Sequence, residues 1–305
     1  MKILLPLLPY LLGWGLLLGT VSLFEVSLIN GISQLVLFLF VVCIPAWKTG
    51  RMSYVDIGWP WGLVVIGIIT LLLSEGNWLR IAMVGAVYIF MGLRMGLGAL
   101  KMWQLGILNK ELPRYKYQHR RWDRAGHEHK GLIMQVEVLI QGLANAAYLA
   151  MPAFVIASNN SNTLSIFEVV GLMIWLGAFM METVSDLQKM KFLKDMRDQG
   201  LKNKVCNVGL WRYSRHPNYF AEWMVWNALL IASIPSWLAL QIVEPLLVWL
   251  LLGMGLLFVS RIMYVTLVYY TGAKPAEFYS LQKRPEYKAY RQSTNMFFPG
   301  KQKSR

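Results

Sequence analysis

The chain has 305 residues, of which 56% are hydrophobic and 15% charged, with a mean hydropathy of +0.44. Soluble domains carry about 25% charged residues, so this composition excludes both a water-soluble globule and a disordered chain, and it describes an all-α, polytopic membrane helix bundle. The 30 Lys and Arg against 16 Asp and Glu leave a net charge of +14; these cations gather between apolar runs, so they read as topology signals rather than as a nucleic-acid surface.

A helix needs roughly 20 apolar residues to cross a hydrocarbon core of about 30 Å. Eight spans are predicted, at 3–24, 29–47, 57–74, 78–98, 132–157, 165–185, 219–235 and 238–260, with seven as the alternative if 207–235 is re-entrant. The first follows Lys2 and lacks a small-residue cleavage site, so it reads as an anchor. With Lys2 inside, that residue, the loops 48–56, 99–131 and 186–218 and the tail from 261 together hold 28 of the 30 cations. Only Arg80, at an outer boundary, and Arg94, within a span, fall elsewhere, and 158–164 carries no charge. Both termini are therefore expected in the cytoplasm, with the chain in a bacterial inner membrane or the endoplasmic reticulum. Residues 1–131 read as an N-terminal transmembrane half on the substrate side, and 132–305 as a C-terminal half with a cytoplasmic tail. Gly15–Gly19 and Gly92–Gly96 are close-packing patterns. Cys43 and Cys206 form no metal framework.

Three inner stretches are dense in polar and aromatic residues. In Leu112–Tyr115 through Arg121–Asp123, Pro113 breaks a helix and the basic-aromatic mix suits a membrane-surface helix, with a contribution to an anionic cofactor as the alternative. Glu182 and Asp186 lie i, i+4 on one helix face at the inner end of a span, where acids are costly unless they line a polar cavity or pair with bases. Residues 209–222 place Arg212, Tyr213, Arg215, His216, Asn218, Tyr219 and Glu222 at the mouth of a span that Pro217 opens. Arg212 and Arg215 are expected to fork onto phosphate oxygens, with Asn218 and Glu222 facing the helix bundle. His127-Glu128-His129, with His119 near, has no Cys and no i, i+4 His pair, so no metal is expected.

The run Trp211-Arg-Tyr-Ser-Arg-His-Pro-Asn-Tyr-Phe-Ala-Glu222 resembles the C-terminal signature of the steroid 5α-reductase superfamily, and most closely the DUF1295 branch. Glu182 to Lys189 is similar to the helix before that signature, Pro113-Arg114-Tyr115 with Arg121-Trp122 to a loop motif of the branch, and Arg284-Pro285-Glu286-Tyr287, Tyr290 and Phe298-Pro299 to its tail. The likeness runs from about 54 to 299. It implies NADPH in a cytoplasmic-side cavity, with cofactor roles for Asp186, Tyr213, Arg215, His216, Asn218, Tyr219, Glu222, Arg261 and Tyr269; Glu182 and Arg212 join them as cofactor candidates from their placement alone. Ala221 stands where the pattern has Gly, and Val265 where steroid reductases place a His. No G-x-G-x-x-G occurs, so no Rossmann site is implied.

Membrane methyltransferases share the Arg-His-Pro-x-Tyr element, where it helps bind S-adenosylmethionine. Asn218 and Glu222 fit the reductase form, and the paired-Glu helix of those methyltransferases is missing here. The expectation is an NADPH-dependent reductase of an enone double bond in a steroid-like or lipid substrate. Alternatives are an S-adenosylmethionine-dependent lipid or isoprenylcysteine-type methyltransferase and a non-enzymatic membrane protein. Enone reduction needs a hydride and a donor to the growing oxyanion; Asp56, Tyr88 and Glu137 are the catalytic candidates for that donor, with Arg94 beside them.

Overall fold

A computed structural model describes residues 2–303, and every regular element among them is helical. Seven segments are long and apolar enough to cross a membrane: Phe24–Thr49, Met52–Leu73, Trp78–Gln104, Lys130–Ala157, Ile166–Asp198, Pro217–Ile242 and Leu246–Lys283. The predicted first span, 3–24, is instead a shorter apolar helix over Ile3–Leu18. Its opening turn, Lys2–Leu7, is wound as 3-10 around Pro6, and only Leu8–Leu18 (α1) is α-helical. Pro6 and Pro9 each lack an N–H to donate. Both termini lie on one side only if this shorter helix crosses as well.

The chain forms two compact units, each discontinuous in sequence: residues up to Val169 with Leu229–Val259, and Val170–Ala228 with Ser260 onward.

The first unit contains α1, α2 (Phe24–Phe38), α3 (Ile44–Thr49), α4 (Val55–Leu73), α5 (Trp78–Gln104), α6 (Pro113–Arg124), α7 (Lys130–Ala146) and α8 (Met151–Ala157). A wide π turn at Leu39–Cys43 joins α2 to α3 into one span. Two carboxylates from far along the chain hold backbone N–H groups. Glu111 accepts from Met52 N at 2.7 Å and Ser53 N at 3.1 Å, which satisfies orphan donors at the start of a helical segment and complements its dipole. Glu244 accepts from Val21 N and Ser22 N, each at 2.9 Å, and so fixes the bend that precedes α2. α4 and α5 meet through small residues. A Cβ on Gly92 would lie 2.6 Å from the Pro60 carbonyl, whereas one on Gly15 would meet nothing. Only the second of the two glycine patterns therefore serves close packing here.

The span at 130–157 is broken. The backbone leaves helical geometry at Ala147 (φ −107°, ψ −98°), and helix resumes at Met151. Broken backbone inside a membrane must find other partners for its carbonyls. Asn30 Nδ2 donates to Asn145 O at 3.2 Å, and Tyr88 Oη donates to Leu149 O at 2.6 Å. α6 packs Tyr115, Gln118 and Trp122 inward, the two aromatics joining a core with Phe38, Val42, Met52 and Val138. Its apolar side faces protein, where the sequence suggested a helix lying on lipid.

α9 (Ile166–Asp198), α10 (Pro217–Ala239) and α11 (Leu246–Val265) each run from one unit into the other. α9 opens with a capping box: Ser165 Oγ accepts from Phe167 N at 3.2 Å, and Glu168 accepts from Ser165 N at 2.7 Å. α10 continues through Pro235, so the turn expected at 236–237 falls instead at 243–245. Trp237 and Trp249 close it, with rings stacked 4.6 Å apart and each indole N–H donating to the other's carbonyl. The second unit ends in a π turn at Thr266–Tyr270, then α12 (Ala273–Lys283) and α13 (Tyr287–Ser293).

Candidate functional site

The motif at 209–222 lies wholly in the second unit. Gly209 opens it with φ +51°, in the left-handed region that favours glycine, and a Cβ there would fall 2.4 Å from the Gln188 amide nitrogen. Gln188 Oε1 accepts from Leu210 N at 2.9 Å, and Trp211 Nε1 donates to Ser185 O at 2.9 Å. These two bonds fix the loop to α9. Ser214 Oγ accepts from His216 N at 3.1 Å and donates to Phe297 O at 2.9 Å. Pro217 then sits at the first position of α10, where its missing N–H costs nothing.

A cavity of about 290 Å³ lies behind this loop. Its walls include Lys189, Arg215, His216, Asn218, Tyr219 and Arg284, with Cys206, Trp211, Tyr287 and Tyr290 closing it. Asn218 Nδ2 donates to Asp186 Oδ1 at 3.1 Å, while Asn218 Oδ1 is buried without a hydrogen bond. The His216 ring stacks on Tyr219 at 5.3 Å with planes 4° apart.

Glu277 organises the charges. Its carboxylate receives Arg215 Nε at 2.6 Å and lies 3.4 Å from Arg291 Nε and 3.3 Å from His216 Nε2. His216 Nε2 is buried within ion-pairing distance of that carboxylate but makes no hydrogen bond of good geometry. Burial pushes the His216 pKa below its ordinary 6.5, against the opposing pull of Glu277. Burial likewise pushes the Tyr287 and Tyr290 phenols and the Cys206 thiol upward, with Lys189 partly offsetting this at the thiol. Arg215 also donates to the carbonyls of Arg291, at 3.1 Å, and Thr294. Its guanidinium therefore ties the loop to the tail, where phosphate contact was expected. Arg212 is exposed, donates to Asn207 O at 3.3 Å and is absent from the cavity wall.

Of the residues singled out for a cofactor, the structure thus gathers Asp186, Arg215, His216, Asn218 and Tyr219. Glu182 is buried on α9 and Glu222 half-buried on α10, both outside the cavity wall. Tyr213 and Arg261 are exposed. Tyr269 sits in the π turn with Lys274 Nζ 4.2 Å over its ring, and that extra turn residue alters the phase between Arg261 and Tyr269. Lys189, Cys206, Glu277, Arg284 and Tyr287 had been given no role. Lys189 and Arg284 stood inside quoted motifs, so the signal was present; nothing in the sequence pointed to Glu277.

The catalytic candidates lie in the first unit. Asp56 accepts from Tyr115 Oη at 2.6 Å and is ion-paired with Arg114. Tyr115 is buried beside that carboxylate, and both effects hold its pKa well above 10.0. Tyr88 is wholly buried with its proton committed to Leu149 O. Glu137 accepts from Trp122 Nε1 at 2.7 Å.

These helices define a multi-pass membrane protein with a polar cavity beside an Arg-His-Pro-Asn-Tyr loop. The chain belongs to DUF1295, the family described as protein of unknown function, which matches residues 39–294. No curated protein and no solved structure matches the chain.

Proposed function

We propose that the protein is a membrane reductase that uses NADPH to reduce a carbon–carbon double bond conjugated to a carbonyl in a steroid-like or lipid substrate. The observation that carries this reading is the charge of the cavity wall, which holds Lys189, Arg215 and Arg284 and no Asp or Glu. Such a wall attracts a phosphate-bearing cofactor and repels the sulfonium of S-adenosylmethionine. The likeness of residues 211–222 to the steroid 5α-reductase signature supports the same choice. At about 290 Å³ the cavity lies at the small end of ligand pockets, which run from roughly 300 to 1,000 Å³, and it suits the phosphate-bearing part of a nucleotide.

The chain's own residues would bind and orient. Lys189 and Arg284 would hold phosphate oxygens, Asn218 Oδ1 offers an unused acceptor to a ligand N–H, and Asp186 fixes the Asn218 amide. The bound cofactor supplies the hydride. Asp56, Tyr88 and Glu137 remain the candidates for the group that stabilises the substrate oxyanion.

The test is titration of the purified protein with NADPH, NADH and S-adenosylmethionine, following thermal stability. A ligand at a hundredfold its Kd stabilises by about 2.7 kcal/mol. NADPH is expected to raise the midpoint in the wild type and not in Asn218→Ala. A rise with S-adenosylmethionine alone replaces the reading with methyl transfer, and no rise with any of them removes the cofactor from it.

A further inference from the structure

The cavity's cations differ in how they are compensated. Arg215 is neutralised by Glu277, and Lys204, just outside, pairs with Glu286 at 2.8 Å. Lys189 and Arg284 both face the cavity, and among the described residues no carboxylate lies within ion-pairing distance of either. Two half-buried cations in one small space are costly unless an anion joins them.

The surroundings make this a shaped site. Arg284 is held by its Nε donating to Lys204 O at 3.1 Å and its Nη1 to Ser280 Oγ at 2.9 Å, which leaves Nη2 for a ligand. Lys189 Nζ rests 4.2 Å over the Trp211 ring, which limits where the ammonium can go. Tyr287 lines the same wall, and its hydroxyl makes no hydrogen bond within the described residues. The site thus presents two positive charges and a neutral O–H.

We propose that Lys189 and Arg284 form a binding site for a phosphate monoester, with Tyr287 as its neutral donor. A monoester carries about −1.5 to −2 charge near pH 7, which matches two cations in one place. A single phosphodiester group carries one charge and leaves the second cation uncompensated. The inference rests on the reductase reading for the source of the monoester: of the two nicotinamide dinucleotides, only NADPH carries one. Lys189 and Arg284 then become the residues that select NADPH over NADH.

The experiment uses the full chain in detergent, comparing wild type, Lys189→Gln, Arg284→Gln and the charge-keeping Lys189→Arg and Arg284→Lys. Wild type is expected to bind NADPH at least about tenfold more tightly than NADH, and each Gln variant to lose roughly that factor for NADPH alone, as deletion of one charge-assisted contact predicts. The charge-keeping variants should retain most of the preference, and they carry the test if a Gln variant fails to fold. Equal affinity of wild type for both nucleotides, or equal losses for both in the variants, overturns the site and leaves the reductase reading standing. If wild type binds neither nucleotide, the reductase reading fails, and inorganic phosphate decides the site. A midpoint raised by millimolar phosphate over chloride of equal ionic strength, and lost in Lys189→Gln, sustains it. No such rise overturns it.

Discussion

His216 is pressed between opposing influences: burial disfavours its imidazolium, Lys189 and Arg215 repel it, and Glu277 alone favours it. Burial wins, so the native ring takes up its proton at lower pH than the ordinary 6.5. Below 6.5 the unfolded chain therefore binds a proton that the native state refuses, and stability falls as pH drops from there toward the native pKa. The thermal midpoint of wild type should decline over that window, and His216→Gln should flatten this part of the decline; an unchanged slope would show that other groups set it. Tyr88 poses a different question, because one hydroxyl is a candidate for two roles. If it serves the broken helix, Tyr88→Phe leaves the Leu149 carbonyl short of a partner and destabilises by about 1–3 kcal/mol, as read by equilibrium unfolding. Turnover lost at unchanged stability would instead assign the hydroxyl to the substrate. The sequence made His216 and Asn218 visible because they sit in a dense motif. It could not separate Arg215, spent on Glu277 and the tail, from Lys189 and Arg284, because charge compensation depends on residues about sixty positions apart.

At the scale of elements, hydropathy located most of the spans, because hydrophobic length is a local property. It failed where one long-range contact decides an end. The span predicted to end at 235 continues as α10 through Pro235, and the Trp237–Trp249 pair closes the turn later. The break at 147–150 left no trace in composition, since its polar partners Asn30 and Tyr88 come from other helices. Arg80, which counted as a stray cation in the topology argument, is a structural member of the first unit. It pairs with Glu168 at 2.5 Å, with both side chains almost wholly buried, and donates to the carbonyls of Ser161 and Thr163. Glu168→Gln leaves that guanidinium buried without its counter-charge, a change that costs about 3–5 kcal/mol in comparable pairs. Unfolding in mixed micelles should register a loss of that order, and a loss below about 1 kcal/mol would mean that the carbonyls and water suffice to hold Arg80.

Across the whole molecule, composition and charge were enough to define a helical, multi-pass membrane protein, and the family match agrees. The two interleaved units were not legible, because α9, α10 and α11 are each a single apolar run that contributes to both. The cavity's wall was only half legible: both the 209–222 motif and the tail run from Arg284 stood out in the sequence, but nothing in the sequence said that they enclose one space. That tail makes the second unit late to form. Tyr213 O receives Gly300 N at 3.0 Å, Ser214 reaches Phe297 O, and Arg215 N donates to Asn295 O at 2.8 Å. On the ribosome the motif emerges some 80 residues before these partners, so its loop waits, already at a bilayer, for the tail to be made. The protein must therefore enter the membrane with its charged loop unfinished, and a pause in synthesis after α11 would strand a helix bundle that is inserted but has no cavity.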